Sequence, residues 1–420
     1  MKILIPVRGV VETSTGTCNP TVKPDEAFTY VDVAAVDNQQ KVISCAKKVL
    51  GVDAPSRARK LLRTNDVLVS TVRPNLNAVA LVPPDLDGQV GSTGFCVLRA
   101  IRNVILPEYL FFFVRSQRFV EGLINLVSGA LYPAVTDSQV LDQQLPLPAI
   151  DEQKRIVDLL SRAESIVRLR REAQKKAQAI IPALFLDMFG DPANNPKGWE
   201  TAYFGEIIKS GPTNGLYKHK SAYGTGTPIL RIDAFYNGEV KNLQTLKRVH
   251  LEPSEINRFS LSDNDIVINR VNSPEYLGKS ALIPPLSEKT VFESNMMCFT
   301  VDDSRVLPKF VISLLQTKAT RQHFLSNAKH AINQSSINQQ DVKKLRVILP
   351  PMTAQQAFVR HAEAVKSVQL QQDRAIERAE ATFNALLAQM FSEDRRRYAT
   401  EDVESFRTDC PSSTRNSVST

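Results

Sequence analysis

Short apolar runs rich in valine and isoleucine recur in two long stretches of the chain, each run bounded by proline, glycine, asparagine or aspartate. This pattern is typical of strands and turns. The clearest predicted strands are residues 66–71 and 265–270. Pro107 and Pro308 stand where a helix favours its first residue, and apolar positions with helical spacing follow both. Each stretch is therefore predicted to be a globular domain of mixed α and β structure.

After each domain the apolar positions change to a helical period. Residues 151–181 open with two acidic side chains and carry an apolar stripe, which predicts a long amphipathic helix. Pro182 is predicted to kink or end it. A second long helix is predicted at residues 353–390, with apolar spacing of a coiled coil in its last half. We expect the two helices to pack as an antiparallel coiled coil, because a whole domain separates them along the chain.

The second half of the chain repeats the first. VTDSQVLDQQLPLPAIDEQ, from Val135, aligns without gaps with INQQDVKKLRVILPPMTAQ, from Ile337. AIIPALFLDMF, from Ala179, matches ATFNALLAQMF, from Ala381, at the same offset. Upstream the match is interrupted by loop insertions. The chain is thus predicted to be two copies of one unit, a globular domain followed by a long helix.

These patterns predict an α+β fold, with two mixed α/β domains in tandem, separated and followed by long helices. A chain of 420 residues agrees with two domains. The end of the chain has few apolar residues and is predicted to be a disordered tail. The predicted boundaries are residues 1–150 for the first domain, 151–190 for the first helix, 191–350 for the second domain, 351–392 for the second helix and 393–420 for the tail.

The composition indicates a folded, basic protein. Hydrophobic residues make up 43% and charged residues 23%, which excludes a fibrous or wholly disordered chain. The 52 lysines and arginines exceed the 44 acidic residues, so a polyanionic partner is favoured, although charge alone does not identify nucleic acid. The five cysteines are scattered, which suggests reduced thiols, and Cys96 aligns with Cys298 as a core residue. We expect a cytoplasmic protein without a membrane segment.

The motifs of common enzymes are missing from the sequence. It contains no GxxxxGK[ST] phosphate loop, no histidine spacing typical of a metal site and no strand-borne acidic pair typical of a nuclease. Residues 191–194 (DPAN) lack the final aromatic residue of the amino-methyltransferase tetrapeptide and suit a linker instead. We therefore predict no catalytic residue, bound cofactor or metal in this chain.

Polar and basic side chains are concentrated in the loops after the matched strands. Arginine can bind guanine and asparagine can bind adenine through two hydrogen bonds, whereas lysine mostly contacts phosphates. Solvated loop polarity is the alternative for each candidate, and Arg270 could equally be structural. The candidates are Arg73, Asn75 and Asn77 in the first domain; Lys218, His219, Lys220, Asn269, Arg270, Asn272, Tyr276 and Lys279 in the second; and, in second rank, Tyr132, Asn333 and Gln334 before the repeated segments.

LPLPAIDEQKRIVDLL, from Leu145, and LDMFGDPANNPKGWE, from Leu186, resemble the specificity subunit of type I restriction-modification enzymes. The shared pattern is a proline-rich segment, a Glu-Gln pair that opens a long helix, and an aromatic-Gly-Asp-Pro linker that leads to Gly-Trp. The resemblance implies that each globular part is a target recognition domain for one half of a split double-stranded DNA site, with the helices as a spacer. The second copy departs from the pattern, since TAQQ at 353–356 replaces DEQK at 151–154.

The resemblance also implies a subunit without catalytic residues. Adenine methylation would come from two modification subunits that use S-adenosylmethionine, and cleavage from restriction subunits that use ATP and Mg²⁺. Two other functions stay open: a coiled-coil scaffold whose domains bind another ligand, and a nuclease or methyltransferase with an unrecognised site. Salt-dependent DNA binding would argue against the first, and activity of the purified chain would establish the second.

Overall fold

The structure, a computed structural model, describes residues 3–127, 133–331 and 334–392. It divides into two compact units, of which the first comprises Met1–Arg170 with Ala375–Thr420 and the second comprises Arg171–Arg374. Each unit contains one predicted globular domain together with segments of both long helices. The predicted tail lies outside the described residues.

The first unit contains a mixed α/β domain. It contains an antiparallel sheet of order β10-β7-β8, a second sheet of order β5-β2-β9-β6, and short helices. The strands are β1 (Ile3–Pro6), β2 (Ala27–Val31), β3 (Val36–Asp37), β4 (Val42–Ile43), β5 (Lys47–Leu50), β6 (Ala58–Leu61), β7 (Val67–Ser70), β8 (Val79–Leu81), β9 (Val90–Ser92), β10 (Phe95–Leu98) and β11 (Gln144–Leu147). The short helices are α1 (Pro107–Arg115), α2 (Gln117–Ile124) and α3 (Asp137–Leu141).

Strand β7 confirms the predicted strand at residues 66–71, and it is buried on both faces. Val67 and Val69 belong to the core cluster that contains α1, whereas Leu68 packs with Ala80 and Phe95 in a second cluster. This two-sided burial explains why the strand has a continuous apolar sequence instead of an alternating one. The loop that follows β7 therefore begins at the end of a strand that is packed on both faces.

The first long helix is separated from the end of β11 by two residues and is interrupted. The predicted break lies at Ala179, three residues before Pro182, because proline has no amide hydrogen to donate to the carbonyl four residues earlier. Gly190 ends the second piece with φ +77°, and a Cβ atom there would lie 2.4 Å from Pro196 Cγ. The single predicted helix is therefore two helices, α4 (Ile150–Gln178) and α5 (Ile180–Phe189).

The second unit has the same plan with more strands. Its six-stranded sheet has the order β13-β22-β18-β20-β16-β15. The strands are β12 (Glu200–Tyr203), β13 (Ile208–Asn214), β14 (Tyr223–Leu230), β15 (Phe235–Tyr236), β16 (Gly238–Val240), β17 (Arg248–Val249), β18 (Ile266–Asn269), β19 (Val271–Asn272), β20 (Ser280–Leu282), β21 (Val291–Phe292), β22 (Met296–Val301), β23 (Lys329–Ala331), β24 (Gln334–Ser336) and β25 (Arg346–Leu349). The helices are α6 (Pro253–Phe259), α7 (Pro308–Leu315), α8 (Lys318–Asn327), α9 (Gln339–Lys343) and the long α10 (Met352–Phe391).

Strand pairing corrects the alignment of two cysteines. Leu98 corresponds to Phe299, because each pairs with the first residue of the central strand, β7 or β18. Cys96 therefore corresponds to Met297, and not to Cys298 as the sequence alignment had it. Both cysteines are buried as expected, but Cys96 lies in the cluster with α1, whereas Cys298 lies in a cluster apart from the equivalent helix α7.

A buried glutamine joins the first turn of each long helix to its own domain. Gln153 in α4 and Gln355 in α10 occupy matched repeat positions, and both side chains are 0% exposed. Each carbonyl oxygen accepts one hydrogen bond and each amide nitrogen donates two, all with main-chain groups. We call them the Gln clamps. Their partners, at 2.8 to 3.2 Å, are Leu106 N, Val104 O and Pro148 O for Gln153, and Leu307 N, Arg305 O and Pro350 O for Gln355.

Aromatic side chains at the helix ends complete both cores. In the first unit, the Phe391 ring centroid lies 5.3 Å from that of Tyr109 and 5.7 Å from that of Phe113. In the second unit, Phe189 lies 5.1 Å from Phe310. Phe391 and Phe189 also occupy matched repeat positions. The last turn of α10 thus belongs to the core of the first unit, and the last turn of α5 to that of the second.

Candidate nucleic-acid interface

The first candidate loop, residues 71–78, connects β7 to β8. Arg73 and Asn75 are exposed, and Asn77 is half-buried. Arg73 and Asn77 have φ of +50° and +46°, which is uncommon for residues other than glycine and is often found where a side chain is held for a function. The three sequence-predicted residues therefore lie together, and the Arg73 guanidinium is free to reach outwards.

Three contacts hold the first loop at its two ends. Arg73 N donates to Pro133 O at 2.8 Å, and Val72 forms a β-bridge with Ala134. Lys41 Nζ donates to Asn77 O at 2.6 Å. Burial and the nearby Arg115 guanidinium lower the pKa of Lys41 to about 8. Lys41 is a residue of this site that the sequence analysis missed, since it lies far from the loop in the chain.

The second candidate loop, residues 270–279, follows the equivalent strand β18, and two of the candidates there are corrected. Asn269 is 0% exposed and its Nδ2 faces Tyr276 O, so it is not available to DNA. Lys279 Nζ donates to Ile232 O at 2.6 Å and lies 3.9 Å from the Tyr236 ring centroid, and burial lowers its pKa. Both side chains thus make internal contacts that stabilise the loop. Their residue types did not indicate these contacts in the sequence.

The remaining residues of the second loop face outwards to different degrees. Tyr276 is 42% exposed. Arg270 is half-buried, and its Nη1 donates to Ser294 O at 2.9 Å, which ties the base of the loop to the turn before β22. The loop closes through Gly278, which has φ +74° and whose Cβ position would lie 2.5 Å from Phe324 Cδ2. A side chain there would displace the loop.

The segments before α3 and α9 meet these loops in both domains. Asn272 in β19 is paired with Ser335 in β24, next to the exposed Gln334. This is the counterpart of the contact between residues 72 and 134 in the first domain. The structure therefore brings the second-rank segments to the first-rank loops. Tyr132 and Asn333 themselves lie outside the described residues.

Lys218, His219 and Lys220 lie in a separate loop between β13 and β14. Lys218 Nζ lies 2.8 Å from Glu255 Oε1, and the hydrogen bond between them lowers the pKa of Glu255. His219 and Lys220 are exposed, and His219 Nδ1 accepts from Ser221 N. Lys218 and Lys220 line a cavity with Arg231 and Lys247, which the sequence analysis did not single out.

The described residues contain no group of three or more histidine, cysteine or acidic side chains that could hold a metal ion. They also contain no helix that is both apolar enough and long enough to span a membrane.

Comparison with known proteins identifies the class. The family model described as type I restriction modification DNA specificity domain matches residues 57–179 and 196–378. The chain is 24% identical over 313 residues to the type I restriction enzyme StySPI specificity subunit of Salmonella potsdam, which covers 71% of this chain and 67% of that protein. It is 23% identical over 318 residues to the EcoKI specificity subunit of Escherichia coli strain K12, which covers 70% and 68%.

A solved structure agrees with this class. It concerns complex assembly and conformational transition of the type I restriction-modification system. The likeness covers 93% of this chain and 98% of that one, with 27% identity and a TM-score of 0.62. The chain belongs to the family of type I restriction-modification DNA specificity subunits. This membership confirms three predictions. The chain is a DNA recognition subunit, it contains tandem recognition domains, and it is the specificity subunit of an enzyme complex and not the catalytic one.

Proposed function

We propose that each globular domain reads one half of a bipartite double-stranded DNA target. The observation that carries this proposal is the duplication of one loop at one place in the fold. The first loop follows β7 and is met by the segment before α3, and the second follows β18 and is met by the segment before α9. The two loops have the same support but different side chains. This arrangement suits two independent readers.

The proposal includes an antiparallel pairing of α4 with α10 as the spacer. Gln174 Nε2 donates to Asp373 Oδ1 and Gln369 Nε2 donates to Ala177 O, both at 2.6 Å. The contact partners thus have increasing residue numbers along α4 and decreasing residue numbers along α10, which supports the antiparallel direction. At about 1.5 Å per residue, the 29 residues of α4 extend roughly 44 Å, enough to separate readers one turn of B-DNA apart.

We also propose the partners of the complex. Two modification subunits that use S-adenosylmethionine would methylate adenine in the two half-sites, and restriction subunits that use ATP and Mg²⁺ would cleave. Support comes from the repeat itself, because two like helix starts offer two like docking surfaces. Mass measurement of the assembled complex tests this stoichiometry, and one modification subunit at saturation would contradict it.

Exchange of the second domain tests the proposed function. We expect replacement of residues 195–344 by the equivalent segment of a relative to change one half of the methylated target and leave the other half intact. The physical reason is that the loop and its supporting strands lie within the second unit. Base-resolution mapping of methylated adenines, with modification subunits present, measures the outcome. Changes in both halves would show that the domains do not read independently.

Arg73 is the better single-residue probe of base reading. Arg270 Nη1 holds Ser294 O, so its removal would disturb the loop, whereas the Arg73 side chain is exposed. If Arg73 forms two hydrogen bonds with guanine, we expect Arg73→Ala to cost about 1 to 3 kcal/mol of binding free energy and to reduce the sequence specificity at one base pair. Arg73→Lys keeps the charge but loses the two-pronged geometry. Titration of duplexes with single base changes measures this, and equal weakening for all sequences would indicate a phosphate contact.

A further inference from the structure

A cavity of about 790 Å³ lies in the second domain, and nothing in the family assignment gives it a role. The loop before β14, the residue after β14, and the turns before β17 and β22 form its wall. Two tyrosines, Tyr217 and Tyr223, and the carboxylate of Glu293 lie in this wall. The wall also contains five cationic side chains, namely Lys218, Lys220, Arg231, Lys247 and Arg248.

The positive charge of this wall is only partly compensated. Lys218 pairs with Glu255 at 2.8 Å, Arg248 pairs with Glu288 at 2.6 Å, and Arg231 lies beside Glu293. Lys220 and Lys247 are exposed and form no ion pair with any residue in the described part of the chain. These two lysines therefore present charge that no ion pair neutralises to an anion in the cavity, and the charge of Lys247 also acts on Glu293, whose pKa it lowers against the larger effect of burial.

The wall also contains a hydrogen-bond donor without an acceptor. Arg231 Nε is buried and makes no hydrogen bond, although Glu293 Oε2 lies 3.4 Å away. Glu293 is directed towards Ile232 N, which donates to it at 2.7 Å, and burial raises the pKa of the Glu293 carboxyl. A buried N–H without a partner is costly, and a shift of the partly exposed Arg231 side chain would bring it within reach of a ligand oxygen in the cavity.

The cavity borders the second loop. Ser294 and Asn295 line the cavity. The main-chain oxygens of the same two residues accept hydrogen bonds from Arg270, at 2.9 Å from Nη1 and 2.9 Å from the backbone N. A strand of DNA held at the cavity would therefore run next to the proposed reader.

We propose that this cavity holds a phosphodiester segment of the DNA strand beside the second half-site. Lys220 and Lys247 contact phosphates, and Arg231 Nε donates to a phosphate oxygen. The exposed ring of Tyr217 offers a face on which a sugar or base stacks. The residues of the cavity position DNA without reading its sequence. The proposal rests on the proposed function, because it presupposes that the second domain binds duplex DNA.

The test is the salt dependence of duplex binding by the full-length chain. Each phosphate contact contributes about 0.9 to the slope of log K against log salt concentration. We expect Lys220→Gln and Lys247→Gln to reduce the slope by about one each, and the double variant by about two, with the half-site preference unchanged. Lys344→Gln, at an exposed lysine outside the cavity wall, is the matched control and should keep the original slope.

The outcomes separate this proposal from the function on which it rests. An unchanged slope in the double variant would overturn the phosphate site, and so would a changed base preference, which would make the lysines readers. If the unaltered chain bound duplexes without salt dependence, the proposed function itself would fail. Saturable binding of deoxyadenosine monophosphate that both lysine variants abolish, with the duplex slope unchanged, would assign the cavity to a free nucleotide and overturn the proposal.

Discussion

Phe391→Ala is expected to destabilise the first domain and spare the second, although Phe391 lies more than 240 residues beyond the last strand of the first domain, β11. The ring is 1% exposed and packs against Tyr109 and Phe113. Removal of a buried phenylalanine leaves a cavity and costs about 3 to 5 kcal/mol of unfolding free energy. Native-state hydrogen exchange measures this domain by domain: the amides of β7 should lose protection, and those of β18 should keep it.

Phe189→Ala is the matched control, and it should give the reverse result. Phe189 is 0% exposed and packs against Phe310 and Phe358 in the second unit. We expect a similar loss of about 3 to 5 kcal/mol, confined to the second domain. If each variant lowered the protection of both domains equally, the two units would unfold as one and the cross-wise assignment of the helix ends would be wrong.

Lengthening both spacer helices together is expected to change the target without changing either half-site. Because Gln174 contacts Asp373, an insertion after Ala173 in α4 is matched by one after Asp373 in α10. Four residues in each helix add about 6 Å, slightly more than one turn. We expect the unspecified DNA between the half-sites to grow by one or two base pairs, as measured by mapping methylated adenines.

The single insertion is the control for this experiment. Four residues added to α4 alone keep the contacts of Gln174 and Ala177 with α10 but shift the preceding part of α4, including Val167 in its cluster with Phe383, out of register, so we expect weaker DNA binding and no new defined spacing. An unchanged spacing in the double-insertion variant would mean that the helices do not set the distance.

The repeat, the central strands and the long helices could be predicted because their signals are local. Apolar runs mark β7 and β18, and the helical period marks α4 and α10 within three residues of their ends. The break at Ala179 was displaced from Pro182 only because proline acts on the preceding turn. The local sequence pattern over ten or more residues was therefore enough to predict the architecture.

Partners that come from distant parts of the chain could not be predicted. Lys279 looks like a DNA-binding lysine until Ile232 and Tyr236 are placed around it. Asn269 belongs to a strand whose two faces are both covered, which a polar residue at a strand end does not reveal. The cavity likewise depends on Arg231 and Lys247 lying near one another in space. Sequence pattern therefore located the loops, but not which of their side chains point outwards.

The Gln clamps bear on how this kind of protein can diversify over generations. Gln153 and Gln355 bind only peptide N–H and C=O groups, which every residue type except proline presents in full. Mutations can therefore replace the side chains at 104–106 and 305–307 without removing a bond to the helix, provided that the backbone path is kept. Changes in what a domain recognises therefore do not alter how the domain is attached to its helix. A lineage can in this way acquire a foreign recognition domain while its helices stay unaltered.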